Sequence, residues 1–233
     1  MNDTTATYRV FPLGDSAFTI DFGNFIDISV NKKVISLFNY LQKEKLENIL
    51  EVVPAYSSLT IYYDVLGIKK KYPGQRACEL MKKTLEEILL KNIPGENDAS
   101  TVTRIPVLYD GEDLLFISQE KNITVDEIIQ IHSATNYRVY MLGFLPGFAY
   151  MGEVDERIAA PRKQQPRLKV EAGSVGIAGK QTGIYPSASP GGWQIIGRTP
   201  LKLFDATKEN PTLLKAGDMV QFYSITKDEF KNR

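Results

Sequence analysis

Between Met141 and Asp205 the chain carries ten of its 17 glycines and half of its 12 prolines, set among short apolar runs. Long helices do not tolerate that spacing, because a helix interior loses about 1 kcal/mol per glycine and about 3 per proline relative to alanine. Short strands do tolerate it, with glycine at corners and bulges. The stretch is therefore predicted to form a closed or nearly closed β-barrel. Val102 to Leu108 reads as a strand that precedes it, and Met219 to Ile225 as the last strand. Thr124-Val-Asp-Glu127 has the form of a capping box opening a helix, on which Val125, Ile128, Ile129 and His132 share one face.

The first ninety residues follow different periods. Tyr8 to Pro12, then Phe18, Ile20 and Phe22, read as two strands joined at Gly14-Asp15. Asp27 is placed to cap a helix whose Val30, Val34, Leu37, Phe38 and Leu41 fall on one face. Ile49 to Val53 and Leu59, Ile61 and Tyr63 give two more strands. A second amphipathic helix after Pro73 carries Ala77, Leu80, Met81, Leu85 and Ile88. The expected fold class is α+β, with a small ββαββα sandwich domain over residues 1–92, a linker over 93–100 and a β-barrel domain over 101–233.

Charge and residue counts remove several functions. The 28 basic and 28 acidic side chains balance, so no global field draws the chain to nucleic acid or to an anionic membrane. No run approaches the roughly 18 apolar residues of a spanning helix, and the opening Met1 to Tyr8 is polar. One cysteine, Cys78, and one histidine, His132, supply neither an internal disulfide nor a zinc set. A cytoplasmic, metal-free protein is expected.

Four stretches have chemical content, each beside a plainer reading. Tyr137 to Tyr150 is a barrel strand with a turn, or else an aromatic pocket in which Gly143 and Gly147 admit a ligand and Phe144, Phe148 and Tyr150 form walls. Arg157, Arg162, Lys163, Arg167 and Lys169 make a solvated loop, or, with Pro161 and Pro166 fixing φ before Arg162 and Arg167, a carboxylate or phosphate site. Ala172 to Pro186 holds Gly179-Lys180 but has Ser174 and Gln181 where a phosphate loop needs glycine and a hydroxyl residue. It reads instead as two strands with inward-facing Gln181, Thr182 and Tyr185. Ser189 to Pro200 is a bulged corner, or a pocket rim of Gly191 and Gly192 amides with Trp193 as a wall and Arg198 as an anion contact. His132 reads as a packing residue or a general base.

These motifs in order, His132-Ser133, Tyr137-Arg138, GFLPGFAYMG from Gly143, APRKQQPR from Ala160, AGSVGIAGKQTGIYP from Ala172, and SPGGWQIIGRTP from Ser189 with Leu203-Phe204-Asp205, resemble the family of the B-type subunit of 5-oxoprolinase. That family is also called allophanate hydrolase subunit 1. The resemblance extends to Phe11-Pro-Leu-Gly-Asp-Ser16 and so covers nearly the whole chain; Ala149 stands where many members have proline.

The resemblance implies a cyclophilin-like architecture for the barrel. It implies one component of an ATP-dependent 5-oxoprolinase that opens 5-oxo-L-proline (pyroglutamate) to L-glutamate together with the A-type and C-type subunits of that enzyme, and that is inactive alone. ATP, with Mg, would be bound by the complex. His132, Tyr185 and Arg198 are then the catalytic candidates, and Phe144, Gly147, Arg162, Arg167, Gln181, Gly191, Gly192 and Trp193 the substrate contacts. The rival that the resemblance also implies is an inhibitor that docks on a sensor histidine kinase and blocks its autophosphorylation, with Phe144, Phe148 and Trp193 as the contact patch. Urea-derived amide chemistry is a third reading, attached to the family's second name.

Overall fold

The computed structural model describes residues 8–91, 93–95 and 102–232; most of the expected linker, 96–100, lies outside them. The chain divides into two compact units, Met1–Asp98 and Ala99–Arg233.

In the first unit, β1 (Arg9–Pro12) and β2 (Ala17–Asp21) form the hairpin at Gly14, whose φ is +65°. α1 (Ile28–Glu44) starts where Asp27 accepts a hydrogen bond from the Val30 amide at 2.9 Å. β3 (Ile49–Pro54) and β4 (Ser58–Tyr63) complete an antiparallel sheet in the order β1-β2-β4-β3. α2 (Val65–Lys71) is an addition to the expected elements. It is seven residues long, too short to show a period, and forms because Asp64 accepts from the Gly67 amide. α3 (Ala77–Leu89) buries Ala77, Met81, Leu85 and Ile88 against Phe18, Ile20, Leu59 and Ile61 of the sheet. Cys78 is exposed: one residue on from buried Ala77, it points about 100° away from the apolar face.

The second unit is built around a barrel. Its strands are β5 (Val102–Val107), β6 (Asn136–Leu142), β7 (Ala149–Gly152), β9 (Ser174–Ala178), β10 (Gln181–Ile184), β12 (Gln194–Arg198) and β13 (Met219–Ser224). They run in the order β12-β9-β10-β7-β6-β13-β5, antiparallel except for β13 beside β5. Just past β5, the Leu108 amide donates to the Arg198 carbonyl and the Arg198 amide to that of Leu108, each at 2.9 Å. This pair joins the two edge strands and nearly closes the barrel. Gly197 makes the seam possible, because a Cβ there would stand 2.6 Å from the Leu108 carbonyl oxygen. Ile105, Val139, Met151, Val175, Ile177, Ile196 and Phe222 fill the interior.

Among the described residues, three helices and one ladder surround the barrel. α4 (Leu114–Lys121) has no helical signature in the sequence, since Leu114, Leu115, Phe116 and Ile117 are consecutive, although only Leu114 and Ile117 are buried. α5 (Val125–Ala134) opens with the expected capping box of Thr124 and Glu127, and α6 (Lys227–Lys231) with a second box of Thr226 and Glu229. β8 (Arg167–Val170) pairs with β11 (Ser189–Gly191) outside the barrel sheet. That ladder brings the Pro161–Arg167 loop beside Gly191-Gly192-Trp193.

Candidate functional site

Beside the β8–β11 ladder is an open cleft of about 230 Å³ lined by Phe144, Phe148, Tyr150, Arg162, Pro166, Tyr185, Pro190, Gly191, Gly192 and Trp193. Its floor is an aromatic cluster centred on buried Phe148. Tyr150, Tyr185 and Trp193 rings lie 4.8, 5.2 and 5.4 Å from the Phe148 ring, all steeply inclined to it. Such edge-to-face contacts add about 0.5–1.5 kcal/mol per pair beyond area burial and fix the wall geometry. Phe144 closes one side, its ring perpendicular to Phe148 at 5.7 Å. It is 62% exposed and held at φ +67°, a left-handed conformation uncommon for a large side chain. At the opposite rim a Cβ on Gly191 would collide with the Tyr185 hydroxyl, so only glycine leaves that phenol room.

Arg162 carries the charge of this cleft. Its guanidinium stands 5.8 Å from the centre of the Trp193 ring. The other cations of the run are matched by acids: Arg157 by Asp155, Lys163 by Asp113, Arg167 by Glu112 and Asp113, and Lys169 by Glu171. Among the described residues Arg162 alone of this run has no acidic partner. Burial raises the Tyr185 pKa, opposed by the Trp193 backbone amide and by Arg162. Burial raises that of Tyr150 as well, again against Arg162. Both phenols therefore stay protonated near neutral pH and offer O–H groups, not phenolates, beside a cation.

The structure gathers some of the sequence-selected residues here and places others elsewhere. Phe144, Arg162, Tyr185, Gly191, Gly192 and Trp193 line the cleft. Arg167 lies just behind it, donating to the Trp193 carbonyl at 3.2 Å. Gly147, at φ +83°, packs against Leu203 and Phe204, and Gln181 stands in β10 opposite Gly152. Neither is among the lining residues.

His132 is fully buried in the barrel core, stacked on Phe222 at 4.6 Å. Its Nδ1 lies 2.8 Å from the Tyr109 hydroxyl and its Nε2 3.0 Å from Thr182 Oγ1. Thr182 donates onward to the Gly176 carbonyl at 3.1 Å, which assigns the Nε2–H tautomer and makes Nδ1 the acceptor for Tyr109. Desolvation lowers the His132 pKa to about 3. The imidazole is neutral, satisfied and out of solvent reach.

Arg198 is at the barrel seam. It grips Asp110 through Nε at 3.1–3.2 Å and Nη2 at 2.8 Å and lies 4.8 Å over the Phe230 ring. Gly179 and Lys180 form the β9–β10 turn, with Lys180 paired to Glu156 at 2.5 Å.

Asp113 has no counterpart among the sequence-selected residues. It is 4% exposed and accepts from Lys163, from Arg167 and from the Ile195 amide, partners 50, 54 and 82 residues away. No local pattern announces such a residue. Among the described residues there is no cluster of three or more His, Cys, Asp and Glu able to hold a metal ion, and no helix is long and apolar enough to cross a membrane.

Residues 8–214 match the family model described as carboxyltransferase domain, subdomain C and D. The chain is 42% identical over 231 residues to the B subunit of 5-oxoprolinase from Bacillus subtilis, covering 97% of this chain and 96% of that one. It is 39% identical over 217 residues to the B subunit of 5-oxoprolinase from Haemophilus influenzae, covering 92% and 96%. Among solved structures, TTHA0988 superposes with a TM-score of 0.76 at 35% identity over 90% of this chain, which spans only 40% of that longer protein.

Proposed function

The chain belongs to the carboxyltransferase-domain family that includes the B subunits of 5-oxoprolinase, and from that premise we propose that it is the B subunit of an ATP-dependent complex that opens 5-oxo-L-proline to L-glutamate. One observation carries the assignment of the site: the Arg162 guanidinium, which has no acidic partner among the described residues, poised over Trp193 at the mouth of a small aromatic cleft.

The substrate is a five-membered lactam with one carboxylate, and each part has a counterpart here. The ring suits the Phe148, Tyr150 and Trp193 walls, and the carboxylate suits Arg162, whose planar fork matches it in two hydrogen bonds. The Tyr185 O–H, at the rim formed by Gly191 and Gly192, is placed to donate to the lactam carbonyl. At about 230 Å³ the cleft is smaller than the roughly 300–1,000 Å³ of drug-sized sites, so it fits one ring and not a nucleoside triphosphate. The cleft residues do not fit ATP, and we assign the nucleotide and its Mg to partner subunits of the A and C type. An unactivated lactam is a poor electrophile, so the chain alone is expected to bind substrate without turning it over.

Co-purification with the neighbouring subunits tests the reading. ATP-dependent release of glutamate from 5-oxoproline by the complex, and none by the chain alone, is the expected result. A complex without that release, or a chain that instead blocks autophosphorylation of a sensor histidine kinase, overturns it.

A further inference from the structure

Asp113 is buried between two cations of the loop that presents Arg162. Its Oδ1 takes the Lys163 ammonium at 3.0 Å, and both oxygens take Arg167 Nη2 at 2.6–2.7 Å. Its Oδ2 also accepts the Ile195 amide at 2.6 Å, which ties the carboxylate to β12. Glu112 takes the remaining side of Arg167 through Nε at 2.6 Å. The loop backbone is held at both sides of Arg162: Gln194 donates to the Pro161 carbonyl at 2.9 Å, and the Lys163 amide donates to the Gly192 carbonyl at 2.7 Å.

These contacts set the charge that the cleft offers. The loop brings three cations, Arg162, Lys163 and Arg167, and Asp113 with Glu112 bring two carboxylates, which leaves one positive charge. That charge is on Arg162, the member facing Trp193. Three uncompensated cations around a small cleft would favour a phosphate or other polyanion. One matches a monoanion.

We propose that Asp113 sets the charge selectivity of the cleft: by neutralising Lys163 and Arg167 it leaves Arg162 as the acting cation, so that the site takes monoanionic carboxylates in preference to polyanionic phosphates. Asp113 does not touch the ligand; it is a positioning and selectivity residue. The proposal rests on the cleft being the substrate site and names what that site discriminates against.

Trp193 is the only tryptophan in the chain, so its emission reports the cleft directly. The test titrates the full chain at pH 8 with 5-oxo-L-proline and with inorganic phosphate, for the natural sequence and for Asp113→Asn, with thermal melts to establish folding. The natural chain is expected to saturate with 5-oxoproline and to show far weaker phosphate binding. Asp113→Asn is expected to shift the ratio of the two affinities toward phosphate by on the order of tenfold, since one added charge at such range acts in partly desolvated surroundings. A folded Asp113→Asn chain with an unchanged ratio overturns the proposal. If that variant does not fold, Glu112→Gln, at a carboxylate 66% exposed, must give a smaller shift of the same sign that vanishes in high salt; no shift overturns it equally. A natural chain whose emission ignores 5-oxoproline counts against the substrate assignment, while its phosphate response relative to Asp113→Asn still reads the charge balance.

Discussion

Arg162 and Arg198 show how far the type of a residue falls short of its role. Both are arginines beside a proline or glycine in the motif-rich half, yet one faces a cleft and the other clamps a seam. Replacing Arg198 with alanine removes a half-exposed ion pair and a cation–π contact, so a stability loss of about 1 kcal/mol is expected, with affinity in the Trp193 cleft unchanged. Chemical denaturation together with emission titration checks both halves of that statement. Phe144→Asn, which suits the left-handed φ of +67°, should leave the melting temperature near its natural value and weaken ligand binding several-fold through loss of an aromatic wall. His132 gives a pH signature. Its folded pKa of about 3 lies below the ordinary 6.5, so the unfolded chain binds more protons between those values and stability falls as pH is lowered from about 6.5. Carboxylates held low by hydrogen bonds, such as Asp155 and Asp205 at about 2, add a loss of the same sign further toward acid, around and below their ordinary value of 3.8. Glu127 and Glu156, held below their ordinary 4.5, add a slope of the same sign at the acid end, so with one histidine in the chain the slope between about pH 5.5 and 6.5 belongs to His132. Denaturant midpoints across that window should flatten in His132→Gln.

At the level of elements, the legible part of the sequence is the part with a period or a cap. α1, α3 and α5 announce themselves by spacing and by Asp27 and Thr124, and glycine density foretells the barrel corners. α2 and α4 do not, one too short and the other apolar on four successive residues. The small β8–β11 ladder is also invisible, although it builds the cleft by setting Arg167 opposite Gly191. Strand pairing between segments far apart along the chain leaves no mark in either segment. The aromatic and glycine residues of the site are legible as motifs. Asp113 is not, because its meaning lies entirely in partners distant along the chain. Gly191→Ala tests the ladder's fit to the cleft: overpacking against the Tyr185 hydroxyl should cost about 1–3 kcal/mol and close the pocket to ligand.

For the whole molecule, the division of labour follows from size and charge. A cleft of about 230 Å³ lined by one arginine has the size and charge for a small anionic ring, as proposed, and the β9–β10 glycines form a turn whose Lys180 is already paired with Glu156. On the proposed function, nucleotide chemistry would fall to the partner subunits, and this chain would seat and orient the lactam. Steady-state kinetics of the reconstituted complex with Arg162→Ala, measured as ATP-dependent glutamate release over a range of 5-oxoproline concentrations, test this most directly. A charged hydrogen bond of about 1.5–3 kcal/mol predicts a fall in kcat/KM of roughly 10- to 100-fold, with the melting temperature unchanged. A complex that keeps the natural kcat/KM without Arg162 would contradict the account.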